Sequence, residues 1–280
     1  MSVAEHQPPP ADVRPARLGD LPARLAIAVP GAIVLALLLA AGGAAFAALV
    51  SVIAGMAAFE AVRLIREERE YAIAGGVMAA AVVAAAALEG RDALAPAVAA
   101  SFALLSLGAL FRGRTGERVA PAVVATFCVV WVGAALAHGV LLRDLDHGGA
   151  LVLAVLLATF LGDTAAHILG SLYGKTPLAP TISPRKTIEG LVAGIVGGTL
   201  SVVILVVIAE PWLAVWEAAL LGLAVSIAAP LGDLWESAIK REAGVKDSGS
   251  LLGAHGGVLD RVDALLFTVP LGYYLATILV

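Results

Sequence analysis

The sequence predicts an all-α, polytopic integral membrane protein of about nine transmembrane helices with its amino terminus in the cytoplasm. Three observations predict it. Sixty per cent of the 280 residues are hydrophobic and only 14% are charged, and the mean hydropathy of +0.96 is beyond what a soluble domain keeps dispersed in water. The apolar residues gather in runs of roughly 20, enough to cross a hydrocarbon core of about 30 Å as a helix. No run alternates as a barrel strand would, and helices satisfy their own backbone groups in lipid. The basic residues, finally, lie almost wholly between alternate runs, which sets sidedness.

Residues 1–21 are polar and carry Pro8, Pro9, Pro10 and Pro15, a composition that buries too little apolar surface to order itself. They read as a flexible cytoplasmic tail, followed by a single membrane-embedded domain over 22–280. The apolar runs lie at 22–41, 44–62, 71–88, 93–111, 119–142, 148–170, 187–209, 212–236 and 262–280. Small residues after the first run raise a cleaved signal peptide as an alternative, and the second run that follows almost at once argues against it. Sixteen of the eighteen lysines and arginines fall on the amino-terminal side of this arrangement, and only Arg91 and Arg143 on the other. By the positive-inside rule the first side is cytoplasmic. Glu60 and His138 read as interfacial groups, near a cytoplasmic and an outer helix end respectively. The single cysteine, Cys128, sits within the apolar FCVVWVG and excludes an internal disulfide. Gly190, Gly194 and Gly198 recur every fourth residue, opening one helix face to close backbone approach.

The unusual chemistry is concentrated in Gly232–Asp263, GDLWESAIKREAGVKDSGSLLGAHGGVLDRVD. Asp233, Ser237 and Lys240 are spaced to share one face if the helix persists to its basic end. Asp260 and Asp263 likewise face one way at the start of the last span, where a helix amino terminus tolerates carboxylates. His255-Gly256-Gly257 sets two residues without side chains beside an imidazole, which lets backbone approach a bulky anion. Carboxylates interleaved with Lys240, Arg241, Lys246 and Arg261 suit a metal–phosphate site, since Mg²⁺ takes one or two carboxylates plus phosphate oxygens and water. A solvated loop with capping carboxylates is the plainer alternative.

A second constellation comprises Gly162-Asp163-Thr164, His167, Lys175, Ser183-Pro184-Arg185-Lys186-Thr187 and Glu189-Gly190. Asp163 falls roughly 10 Å below the cytoplasmic surface at about 1.5 Å per residue, and an ionisable group at that depth is a functional candidate. Ser183, Arg185, Lys186 and Thr187 read either as a helix start with basic anchors or as a phosphate clamp of hydroxyls and cations.

At these residues the chain resembles the phosphatidate cytidylyltransferases, or CDP-diglyceride synthases. Ser237-x-x-Lys240-Arg241-x4-Lys246-Asp247-x-Gly249, followed by His255-Gly256-Gly257-x-x-Asp260-Arg261-x-Asp263, follows that family's signature, and the motifs at 162–164 and 183–190 are similar to the family's as well. The resemblance covers the second half and is only topological in the first. Gly253, Arg185, His167 and Ser171 depart from the family's usual proline, lysine, tyrosine and arginine. The resemblance implies transfer of CMP from CTP to phosphatidic acid with Mg²⁺, at an active site on the cytoplasmic face of the inner (plasma) membrane. It implies a homodimer in the bilayer and no nucleic-acid partner. On that expectation Asp233, Asp260 and Asp263 hold the metal and join Lys240 and His255 as the catalytic set. Asp163, Ser183, Arg185, Lys186, Thr187, Ser237, Arg241, Lys246, Asp247, Gly256, Gly257 and Arg261 bind substrate, with Asp163 orienting a ligand or a second cation. A CTP-dependent lipid kinase, another lipid cytidylyltransferase of the same superfamily and an ion-coupled transporter are the alternatives.

Overall fold

Eight helices long and apolar enough to cross a membrane run through the described residues. The computed structural model describes residues 43–111, 119–209, 212–249 and 256–279. In chain order the helices are α1 (Gly43–Ile65), α2 (Arg69–Glu89), α3 (Leu94–Phe111), α4 (Val119–Asp144), α5 (Gly148–Tyr173), α6 (Ile188–Ile208), α7 (Val215–Glu242) and α8 (Leu259–Leu279). They match the second to ninth predicted runs. The first run, 22–41, lies outside the described residues, as do the tail and His255.

The helices form two groups. α1, α2 and α4 pack together with α3 beside them, α5, α6 and α7 form the second group, and α8 packs against α7, α4 and α5 and, at its first turn, α1. Small residues make the contacts, as expected where no hydrophobic force drives helices together in lipid. A Cβ on Gly76 would stand 2.6 Å from the Gly55 carbonyl oxygen, joining α1 to α2, and one on Gly133 would stand 2.8 Å from Ala79 Cα, joining α2 to α4. The predicted glycine face of α6 is the seam with α5: Gly190 lies against Gly170 and Ala166, Gly194 against Gly162, and Gly198 against Ala158. α4 carries a π-helical turn at Val129–Ala134, and Cys128 is buried beside it.

Three features depart from expectation. A two-stranded antiparallel hairpin, β1 (Pro177–Ala179) and β2 (Ser183–Thr187), stands between α5 and α6 in an otherwise helical chain. Thr187 ends β2 and caps α6, its hydroxyl accepting the Gly190 N–H at 3.2 Å. α7 runs six residues past the predicted 236, and α8 begins at Leu259 and is interrupted at Asp263-Ala264. Glu60 and His138, expected as interfacial groups near opposite ends, are buried rather than solvated. They are 2% and 8% exposed, because each finds polar partners inside the bundle. His138 sits with Tyr273 and Tyr274 and lies at the same end as Arg91, which stacks over Tyr274. Glu60 lies at the opposite end, where its Oε2 accepts the Leu259 N–H.

Candidate active site

Four carboxylates and three cations meet around one cavity of about 480 Å³ between α5, α6, α7, the hairpin and the start of α8. Each arrives for a local reason. α5 presents Asp163 and His167 one turn apart, and β2 brings Ser183, Arg185, Lys186 and Thr187 to the rim. α7 contributes Asp233, and the first turn of α8 contributes Asp260, Arg261 and Asp263. Further along α5 and α6 the wall turns apolar at Ala158, Phe160, Leu191 and Ile195. The cavity therefore joins a charged rim to an apolar floor within the membrane-spanning region.

Two close approaches set the acidic geometry. Gly232 of α7 faces the interruption in α8, where a Cβ would stand 2.5 Å from the Asp263 carbonyl oxygen and 2.9 Å from Ala264 Cα. The missing side chain lets Asp233 and Asp263 share the cavity wall. Pro230, one turn earlier, cannot donate to the Ser226 carbonyl, and both residues line the cavity below the aspartates.

The carboxylates have distinct partners. Asp233 accepts the Ser237 hydroxyl on Oδ1 at 3.2 Å and pairs through Oδ2 with Lys186 Nζ at 2.5 Å. Asp260 accepts Lys240 Nζ at 2.8 Å, the Gly257 N–H at 2.8 Å and the Ser248 N–H at 3.1 Å. Asp263 accepts the Ala264 N–H at 2.8 Å. Lys240 also lies 2.5 Å from Glu236 Oε2, and the Glu236 side chain is wholly buried. The helix persists to Glu242, so the spacing of Asp233, Ser237 and Lys240 on it holds; Asp233 bonds Ser237, and Lys240 bonds Glu236 and Asp260.

Asp233, Asp260 and Asp263 line the same cavity, yet among the described residues no three His, Cys, Asp or Glu side chains gather closely enough to hold a metal ion by themselves. Asp260 is engaged with protein donors on both oxygens. Asp233 is bonded on both oxygens as well, by the Ser237 hydroxyl and by the part-exposed Lys186, but it shares the cavity wall with Asp263 at the Gly232 contact, and two carboxylates suffice for Mg²⁺ when phosphate oxygens and water complete its shell.

Other predicted residues stand further out. Arg241 donates to the carbonyls of Ile182 and Val245, tying the hairpin turn to the end of α7. Lys246 and Asp247 are exposed on the loop after α7. Gly256 adopts φ +77°, a left-handed conformation that favours glycine, and Gly257 lends its N–H to Asp260. Three residues left out of the expected catalytic and binding sets organise the site: Glu60, Glu236 and Glu189. Glu189 accepts the backbone N–H of Lys175 and Thr176 and the Thr176 hydroxyl, fastening the hairpin's approach to α6. Glu189 lay within the 183–190 motif, and Glu236 left its spacing of four from Lys240 as a signal.

The described helices thus form a membrane-embedded bundle with a pocket in which cations and carboxylates adjoin apolar side chains. A sequence model of the Cytidylyltransferase family matches residues 22–279, and the chain belongs to that family. Proteins named phosphatidate cytidylyltransferase are similar to it. That of Staphylococcus saprophyticus is 36% identical over 174 residues, 62% of this chain and 65% of its own. That of Synechocystis sp. is 50% identical over 119 residues, 42% of this chain and 40% of its own. That of Mycobacterium bovis is 36% identical over 153 residues, 54% of this chain and 49% of its own. The chain thus spans between about two fifths and two thirds of the length of these curated relatives.

Proposed function

We propose that the protein is a phosphatidate cytidylyltransferase, transferring CMP from CTP to phosphatidic acid to give CDP-diacylglycerol and pyrophosphate. The observation that carries this reading is the cavity itself, in which Arg185, Lys186 and Arg261 face Asp163, Asp233 and Asp263 above an apolar wall. The names of the similar proteins support it. In the reaction a phosphate oxygen of the lipid forms a bond to the α-phosphorus of CTP while the bond to the bridging oxygen of the β-phosphate breaks, and that electron pair leaves with pyrophosphate. The lipid phosphate is already a nucleophile, so positioning and charge neutralisation supply most of the acceleration.

Asp233 and Asp263 would hold Mg²⁺, with Asp260 beside them bonded to the Ser248 and Gly257 N–H groups. The metal supplies charge neutralisation on the nucleotide phosphates when bound. Lys186, Arg185 and Ser183 grip phosphate from the hairpin, Lys240, Arg261 and the exposed Lys246 complement the remaining charge, and Asp163 orients a ligand. The surplus of basic residues on the side bearing the hairpin and the 243–258 loop supports a cytoplasmic-facing site in the plasma membrane.

The test is to purify the protein in detergent and supply labelled CTP, phosphatidic acid and Mg²⁺. Formation of CDP-diacylglycerol with equimolar pyrophosphate is the expected result. Release of CDP would instead identify a lipid kinase, and absence of CTP consumption would overturn the proposal.

A further inference from the structure

The loop that leads into α8 is anchored from the far half of the chain. Glu60 lies on α1, whose sequence carries none of the motifs described above, yet its side chain is buried and its Oε2 accepts the Leu259 N–H at 2.9 Å. That N–H belongs to the first turn of α8, where backbone donors have no intrahelical partner and a carboxylate is favoured by the helix dipole. Glu60 therefore caps α8 from 199 positions away in sequence. The same carboxylate explains two glycines. A Cβ on Gly249 would overlap the Glu60 carboxylate, and a Cβ on Gly257 would overlap the Ser248 hydroxyl and stand 2.5 Å from Glu60 Oε2.

The two arms of loop held by Glu60 are the arms that hold Asp260. Gly257 and Ser248 donate their N–H groups to the Asp260 carboxylate, which in turn receives Lys240. We propose that Glu60 is a positioning residue: by fixing both arms of this loop, it sets where Asp260, with its partner Lys240, stands at the cavity, and Gly249 and Gly257 lack side chains to admit it. The catalytic part of this inference rests on the function proposed above, whereas the anchoring part does not.

The experiment compares Glu60→Ala, Glu60→Gln, Gly249→Ala and the double variant Glu60→Ala/Gly249→Ala with the wild type in detergent. Glutamine keeps an oxygen to accept the Leu259 N–H and should retain kcat within about tenfold. Alanine should lower kcat by about 100-fold, the cost of a misplacement near 1 Å, while KM for CTP changes by less. Gly249→Ala should impair the wild type but add less than about twofold to Glu60→Ala, because the overlap is already relieved. Hydrogen exchange of the peptide covering 256–262 supplies a readout without turnover. It should quicken in Glu60→Ala and hold its wild-type rate in Glu60→Gln. Unchanged exchange in Glu60→Ala, or additive losses in the double variant, would overturn the anchor. A wild type that forms no CDP-diacylglycerol would sink the proposed function while the exchange result still decided the anchor. Normal kcat in Glu60→Ala with quickened exchange would refute the positioning role.

Discussion

Lys186 Nζ lies 2.5 Å from Asp233 Oδ2, so a cation of the hairpin and a carboxylate of α7 neutralise one another at the cavity rim. Both side chains are about a quarter to a third exposed, and such a pair contributes about 1 kcal/mol or less to stability. Lys186→Ala and Asp233→Asn should therefore leave the unfolding midpoint in detergent nearly unchanged. Each should nevertheless lower CDP-diacylglycerol formation by at least about 100-fold, a loss of roughly 2.7 kcal/mol of transition-state stabilisation. Near-normal turnover in either variant would remove that residue from the proposed chemistry.

The Lys240 ion pairs predict a different balance. Glu236 is wholly buried, and Lys240 is shared between it and Asp260. Removing the cation leaves two carboxylates inside the protein without their common partner, which costs about 3–5 kcal/mol. Lys240→Met should lower both the unfolding midpoint and turnover, whereas Glu236→Gln, which keeps an oxygen to accept from the ammonium, should cost about 1–3 kcal/mol. Thermal unfolding followed alongside initial rates separates the two outcomes.

Gly232→Ala tests the contact that brings Asp233 and Asp263 to one wall. The added Cβ meets backbone atoms of Asp263 and Ala264, which cannot rotate aside as a side chain would. Overpacking of this kind costs about 1–3 kcal/mol. The separation of the two aspartates should show as a higher Mg²⁺ concentration for half-maximal rate, and an unchanged Mg²⁺ dependence would count against the proposed pair.

Glu189→Ala removes the acceptor for Lys175, Thr176 and the Thr176 hydroxyl. These groups are exposed, so stability should fall by about 1 kcal/mol or less. The hairpin carries Ser183, Arg185 and Lys186, and a loosened hairpin should raise KM for CTP more than it lowers kcat. Steady-state kinetics over a range of CTP concentration checks the split.

The spans were readable because length and hydropathy alone decide them: the boundaries of α1 to α6 fall within three residues of the runs in the sequence. The aspartates and Lys186 were readable as polar groups out of place near lipid. The hairpin was not, because a five-residue strand beginning Ser-Pro-Arg carries no alternation of apolar and polar residues. Glu60 looked like an ordinary interfacial acid, since its partners lie about 200 residues further along and no local pattern announces them. Helical spacing placed Lys240 in line with Asp233 but could not name its partners. Its long side chain reaches Glu236 on its own helix and Asp260 on the next, a choice that only tertiary packing makes.

The contacts of α8 bear on how the protein is made. The segment at 259–279 reaches α7, α4, α5 and α1, and it carries Asp260 and Asp263 into the cavity. During synthesis the earlier spans enter the bilayer first and lack these contacts until α8 follows. Competence is then acquired in a single late event, when this span inserts and docks. A ribosome stalled before residue 259 would leave an inserted but inert protein.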